Sequence, residues 1–332
     1  MSREIGSEFW DAPTVDTKNQ RFPKNTQWYV SGRSALKAII QDLRDCHSVS
    51  MPSWCCDSMV KPFVDSGIKL HFYPVYLQQG LVREIRLDSD VLFLMDYFGY
   101  TGPSLHFEGY RGVVIRDVTH SIFSADYTDA DYYFGSLRKW CGVRTGGYAW
   151  SNHALPMEAG VDKGYAELRE KAMGQKGEYI RNGEQGGKGY LKVYDEAEEL
   201  LENLGIFPAA EGDIAIASSL DIQYIRTRRR ANAQILMHAF PDWLVFSELQ
   251  DSDCPMFVPI FVPNGKRNEL RRHLIENAIY CPVHWPVSAY HRLGEKEQRL
   301  YDNELSLVCD QRYTEEDMCR IVHTIRSFWK EG

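Results

Sequence analysis

The chain has 332 residues, 44% hydrophobic and 25% charged, with a formal net charge of −8, the balance of a folded globular protein. An acidic surface argues against nucleic acid as a partner, and the dense basic run from Arg226 to Arg230 falls in a helical pattern that reads as a solvated or subunit-facing stripe. No apolar stretch reaches the length of a membrane span, the first residues lack the apolar centre of a signal peptide, and eight cysteines without framework spacing read as reduced thiols of a cytoplasmic protein.

Residues 1–27 are polar with scattered aromatics and prolines, and are expected to form an arm. A β/α alternation follows. Leu36, Ile39, Ile40 and Leu43 recur at helical spacing after Gly32, and Met59, Val60, Phe63 and Val64 mark a second helix stopped by Gly67. Strands are expected at 49–52, 69–75, 91–95, 112–116, 131–134 and 147–150, each bounded by turn formers. The uninterrupted apolar run Val91-Leu92-Phe93-Leu94-Met95 predicts a strand buried on both faces, as in a parallel sheet. Beyond residue 155 the pattern predicts helices at 157–175 and 191–204, with a mobile Gly-rich loop over 176–190 between them. A long helix is expected over 213–239, then strands at 243–247 and 256–262, a helix at 267–278, a strand at 303–308 and a helix at 314–329. The predicted class is α/β: a mostly parallel sheet flanked by helices in a large domain, 28–212, and a smaller C-terminal α+β domain, 213–332.

Three short motifs stand in an order that carries chemistry. Ser31-Gly32-Arg33-Ser34 opens the first helix, where backbone N–H groups and hydroxyls can hold an anion. Asp117 closes the strand Val113-Val114-Ile115-Arg116, at the carboxyl end where open α/β sheets bind ligands. His120 follows three residues on. Lys139 ends Ser136-Leu137-Arg138-Lys139, after another strand. A helix start for a phosphate, an acid for a pyridine nitrogen and a lysine for an aldehyde are the needs of pyridoxal 5′-phosphate (PLP). On this reading Lys139 carries the cofactor as a Schiff base, Asp117 keeps the ring nitrogen protonated and His120 meets the phenolic oxygen. Gly32, Arg33, Ser34 and Ser136 surround the phosphate, with Arg138 or Arg144 able to pair with it, while Gly146-Gly147 lets a strand leave the crowded site. Each feature has an ordinary alternative: a helix cap, a turn aspartate, a structural histidine. Ser-x-x-Lys also occurs in penicillin-binding proteins, but the companion Ser-Asp-Asn and Lys-Thr-Gly are missing. Cys281 and His284 with Cys55 and Cys56 could be weighed as a zinc set, but no second spaced pair supports it.

Taken together the motifs resemble the DegT/DnrJ/EryC1/StrS sugar aminotransferases, PLP enzymes of fold type I, the aspartate aminotransferase fold. The resemblance covers roughly residues 28–332. It rests on Ser31-Gly32-Arg33-Ser34-Ala35-Leu36, Pro52-Ser53-Trp54, Asp96-Tyr97-Phe98-Gly99, Asp117 with His120, Ser136-Leu137-Arg138-Lys139 with Gly146-Gly147, and Leu305-Ser306-Leu307 before the final helix. The family covers the cofactor ring with an aromatic residue, and Trp54 or Tyr97 is the candidate here. Its Gly-Tyr-Asn segment, which reaches into the partner subunit's site, has no clear counterpart. The resemblance implies a homodimer and a ping-pong amino transfer from an amino acid, glutamate by analogy, to a small keto acceptor that is a nucleotide-linked keto sugar. A non-sugar acceptor, a PLP enzyme of another reaction type such as a dehydratase (which Lys139 in place of a histidine argues against), and a non-catalytic PLP-fold protein are the alternatives.

Overall fold

The computed structural model describes residues 4–16, 22–102, 105, 107–124, 129–160 and 162–331. Residues 1–3 and 17–21 of the expected arm lie outside that set. Strands in chain order are β1 (Ile5–Gly6), β2 (Gln27–Tyr29), β3 (Ser48–Pro52), β4 (Lys69–Tyr73), β5 (Val75–Leu77), β6 (Leu81–Arg83), β7 (Val91–Met95), β8 (Val113–Asp117), β9 (Tyr132–Ser136), β10 (Gly147–Trp150), β11 (Phe257–Phe261), β12 (Ile279–Tyr280) and β13 (Glu304–Val308). Helices are α1 (Gly32–Asp42), α2 (Asp57–Asp65), α3 (Lys163–Arg181), α4 (Tyr190–Asn203), α5 (Glu211–Ser218), α6 (Ile222–Ala239), α7 (Arg267–Glu276), α8 (Glu295–Asn303) and α9 (Glu315–Glu331).

Seven strands form the central sheet in the order β2-β10-β9-β8-β7-β3-β4. The run from β9 to β4 is parallel, and β10 and β2 are added antiparallel at one edge. All five residues of β7 are buried, which explains the unbroken apolar run: helices cover both faces, so no side needs polar residues. Register places Met95 of β7 beside Asp117, and Asp117 beside Phe134 of β9. The carboxyl ends of three neighbouring strands therefore deliver Asp96, Asp117 and Ser136 to one rim. Gly147 is required there. A Cβ on it would stand 2.0 Å from the Ser31 carbonyl oxygen, so only glycine lets β10 pass the start of α1.

The C-terminal part differs from expectation in three places. The pattern over 213–239 is two helices, because Asp221 caps a new one by accepting from the Tyr224 N–H. No strand forms at 243–247: Pro241 opens a single turn to Trp243, and Leu244 makes only an isolated bridge to Ile260. α8, which the sequence reading lacked, precedes β13. β11 and β13 pair antiparallel, and α6, α7 and α9 pack together beside them.

The expected loop 176–190 is also revised. α3 continues to Arg181 because Tyr179 still packs with Ala172 and Tyr190, which offsets the helix cost of Gly174 and Gly177. Residues 4–9 are not a loose arm: Glu4, Ile5 and Phe9 are buried. β1 pairs in parallel with β12, the Gly6 N–H donates to the Tyr313 hydroxyl, and the Arg312 guanidinium donates to the carbonyls of Ser7 and Glu8. Glu4 meets Lys188 at 2.7 Å and the fully buried Lys176 at 3.6 Å. Among the described residues no helix is long and apolar enough to cross a membrane.

Candidate active site

Asp117 is the last residue of β8 and is 1% exposed. Its Oδ1 accepts the Thr119 N–H at 2.8 Å, while Oδ2 is buried with no hydrogen-bond partner among the described residues. Burial pushes the carboxyl up to about 7, against the opposing pull of the Thr119 hydrogen bonds. His120 lies in the turn after β8. Its Nδ1 accepts the Phe98 N–H at 3.4 Å, which leaves the ring proton on Nε2. Burial, and then the neighbouring Lys139 ammonium, hold it down to about 3, so it is a neutral imidazole.

β9 ends at Ser136, and one helical turn, Leu137–Lys139, carries the chain to the lysine. Lys139 is exposed, between half-buried Arg138 and buried Trp140. Its ammonium acts electrostatically on His120, Cys56, Glu198 and Glu8. Ser136 Oγ is buried and has no hydrogen-bond partner among the described residues. The start of α1 abuts it: a Cβ on Gly32 would lie 3.3 Å from the Ser136 Cβ and from the Gly135 carbonyl oxygen. Ser31 caps the helix by accepting the Ser34 N–H, and Ser34 Oγ donates to the Gly205 carbonyl at 2.9 Å. Arg33 and Arg138 both face Glu198, at 3.9 and 2.7 Å. Arg144 is held away from the cluster by Asp213 and Glu170.

Trp54 is fully buried. It stacks on Tyr97 with centroids 4.8 Å apart, and its indole N–H donates to the His284 carbonyl at 2.6 Å. Two residues on, Cys56 stands at the start of α2. Burial raises its thiol, with the Asp117 carboxylate adding to the rise and the Lys139 ammonium opposing it. Cys56 thus lies within electrostatic reach of both groups, a position the sequence reading did not assign.

A cavity of about 460 Å³ opens in front of these groups. Lys139 and His120 are on its wall. Asp117, Gly32, Ser34, Ser136 and Trp54 do not line it. The remaining wall comes from His284, Trp285 and Arg229 in the C-terminal half and from Gly6 to Phe9 of the N-terminal segment. Six cationic residues line the cavity against two acids, Glu8 and Asp310. Arg229 is 1% exposed, donates to the carbonyls of Pro255 and Met256, and keeps Nη2 without a hydrogen-bond partner among the described residues. Among the described residues no group of three or more His, Cys, Asp or Glu is placed to hold a metal. Cys55 instead meets His291, with Sγ 3.6 Å from Nε2.

Neither a protein-family model nor a curated protein matches the chain. Solved structures do. The Helicobacter pylori aminotransferase PseC, involved in pseudoaminic acid biosynthesis, aligns at 15% identity with a TM-score of 0.66, over 98% of this chain and all of that one. A DegT DnrJ EryC1 StrS aminotransferase from Brucella abortus gives 0.60 at 15% identity, over 91% of this chain and 85% of that one. NtdA from Bacillus subtilis with bound cofactor PMP gives 0.62 at 13% identity, over 91% and 72%.

The chain has the fold of the sugar aminotransferases. The residues present also fit a cofactor of the kind bound in the NtdA structure. Among the described residues Asp117 Oδ2 lacks a donor such as a protonated pyridine nitrogen would bring, and Ser136 Oγ lacks a partner beside a helix start suited to a phosphate. Glu8 escaped the sequence reading because it reaches the site through contacts distant in the chain, and Arg229, read there as part of a solvated or subunit-facing stripe, is instead buried at the cavity wall. Cys56 had a local signal, its place just after Pro52-Ser53-Trp54, but a thiol there has no pattern to announce it.

Proposed function

We propose that the protein is a PLP-dependent aminotransferase that moves an amino group from an amino acid, with glutamate as the expected donor, to a nucleotide-linked keto sugar by a ping-pong route. The observation that carries this reading is Asp117: a buried carboxyl at the carboxyl end of a central strand, with one oxygen lacking a donor among the described residues, three residues before His120, which lines the cavity together with Lys139. In this proposal the start of α1 holds the cofactor phosphate with Gly32, Arg33, Ser34 and Ser136. Asp117 takes the ring nitrogen, His120 the phenolic oxygen, and Trp54 with Cys56 the side of the ring. The bound cofactor supplies an electron sink for the donor's α-carbon.

The chain's own residues supply the rest. Asp117, ionised once it faces a cation, keeps the ring nitrogen protonated. Neutral His120 donates a hydrogen bond from Nε2. Lys139 Nζ takes the α-proton of the donor and returns a proton to the acceptor carbon in the second half of the cycle. The excess of cations around the cavity suits the carboxylate of a donor and the phosphates of a nucleotide-linked acceptor.

The same reading has the chain working in the cytoplasm as a homodimer, with a cofactor domain over 28–212 and a smaller domain over 213–332. Eight free thiols favour a reducing compartment, and Leu191 stands exposed at the cavity wall, where a second subunit would cover it. Borohydride treatment after incubation with PLP, followed by peptide mass mapping, is expected to place the adduct on Lys139. An adduct on another lysine, or none, sinks the assignment. Turnover with glutamate and a keto sugar tests the reaction, and light scattering is expected to give twice the chain mass of 38.3 kDa.

A further inference from the structure

His284 lies on the cavity wall, and the amino transfer proposed above leaves it without a task. Its position is fixed at three points. The backbone N–H donates to Glu304 Oε2 at 2.7 Å, the carbonyl accepts the Trp54 indole N–H, and ring Nδ1 stands 2.8 Å from Ser306 Oγ. Ser306 Oγ in turn meets Glu304 Oε1. Alternation along β13 puts Glu304 and Ser306 on one face, and both are fully buried. A hydrogen-bonded line of three proton-exchanging groups therefore runs from the interior to the cavity. It ends at His284 Nε2, which has no hydrogen-bond partner among the described residues.

We infer that His284 is a second proton-handling group of the site, exchanging a proton with the substrate oxygen through Nε2 while Ser306 and Glu304 resupply Nδ1. The inference rests on the amino-transfer reading. Converting a ketone to an amine expels the carbonyl oxygen as water, and Lys139, which serves the carbon, leaves that oxygen without a proton donor. In the balanced step the Nε2 proton goes to the oxygen and the C–O bond breaks with its electron pair on oxygen. Water leaves, the Ser306 proton passes to Nδ1, and the Glu304 carboxyl proton passes to Ser306. The line ends as a carboxylate and the other neutral imidazole tautomer. In the donor half of the cycle, water attacks the carbon and gives up one proton; the C–N bond then breaks with its electron pair on nitrogen, which takes the remaining hydroxyl proton as the C=O bond forms. The water proton enters at Nε2 and the line runs back to Glu304.

The surroundings suit this exchange. Glu304 faces Ser306, His284 and the Arg267 guanidinium; burial outweighs the last and pushes it up to about 8, so it holds a proton at neutral pH. His284 faces His120 and Lys139 as well as Ser306. Burial, then the neighbouring His120 and Lys139, push it well down, so the ring carries one proton and shifts between tautomers rather than charging.

The test uses the full chain reconstituted with PLP and labelled with 15N-histidine, the His284 signals being assigned with His284→Gln. The ring proton is expected on Nε2 at low pH and on Nδ1 above about pH 8, where Glu304 ionises. Ser306→Ala should break that dependence. Glu304→Gln and Ser306→Ala should each lower kcat by about 10²-fold with KM little changed, and should suppress the isotope effect of an α-deuterated donor, because loss of the oxygen becomes the slow step. Ser306→Thr, which keeps the hydroxyl, should restore both. A tautomer fixed from pH 6 to 9, or Ser306→Ala turning over at the wild-type rate with its isotope effect intact, overturns the inference. If the wild type transfers no amino group, the functional reading fails, and the tautomer measurement alone then decides the relay.

Discussion

Asp117 ends β8 and Glu304 begins β13, and burial raises both carboxyls, to about 7 and about 8. Their surroundings differ in one respect. Both oxygens of Glu304 have partners within the chain, the His284 N–H and the Ser306 hydroxyl. Among the described residues Asp117 has a partner on one oxygen only. A buried acid with both oxygens answered belongs to the architecture and can pass protons along it. A buried acid with one oxygen open is poised for a further donor. On the proposed reading the two ends of the site therefore have different dependencies: a cofactor would complete the sheet end, and the β13 end has its partners within the chain.

The largest effect expected from this contrast is on turnover. Asp117→Asn should keep PLP but lose about 10²–10³-fold in kcat, because a neutral amide cannot hold the ring nitrogen charged. The absorbance of the bound cofactor should change with it. Glu304→Gln should leave that absorbance as in the wild type even where its rate falls. If the two variants perturb the cofactor spectrum alike, the distinction between the two acids is lost.

A middle-sized effect concerns the phosphate. Each hydroxyl bonded to a dianion contributes about 1.5–3 kcal/mol. Replacing Ser34 and Ser136 together by alanine should weaken PLP affinity by at least about 10²-fold, measured by equilibrium dialysis. Unchanged retention would move the phosphate away from α1.

The smallest effect is on stability without cofactor. An acid whose folded value is raised contributes stability that is complete below its unfolded value near 4 and is lost as pH rises through the folded value. Asp117→Asn should therefore gain in melting temperature on the wild type as pH rises from about 4 to about 7, and Glu304→Gln from about 4 to about 8. Saturating PLP should erase the first difference and leave the second. Parallel melting curves would show that neither acid carries the proposed burden.

The sheet was legible because its signals are local. The run Val91–Met95 matches β7 and residues 147–150 match β10, and Asp117 was read at a strand end where β8 places it. The motifs beside the sheet work the same way: Ser136 and Lys139 are joined by one short turn, so their proximity is written in their spacing. What failed depended on partners elsewhere. Gly177 and the glycines after it suggested a loop over 176–190, and packing of Tyr179 on Tyr190 carries α3 past Gly177 to Arg181. The expected strand at 243–247 is apolar without a neighbour to pair with beyond one bridge. The relay from Glu304 could not be seen, since His284 and Ser306 meet across a sheet edge, and nothing in either segment names the other.

The N-terminal segment has a consequence for the order in which the protein folds. The Gly6 N–H finds its acceptor on Tyr313, 307 residues further along the chain, and β1 finds its strand partner among the described residues in β12. Contacts of such sequence separation form slowly, because a large loop must close before they contribute anything. On a ribosome the parallel sheet can be assembled, with Lys139 and Asp117 in place, while residues 4–9 still wait for α7, β12 and the segment after β13 to emerge. The cavity wall is therefore among the last parts to close, and a nascent chain should present an open, cofactor-accessible sheet end before it presents a finished site.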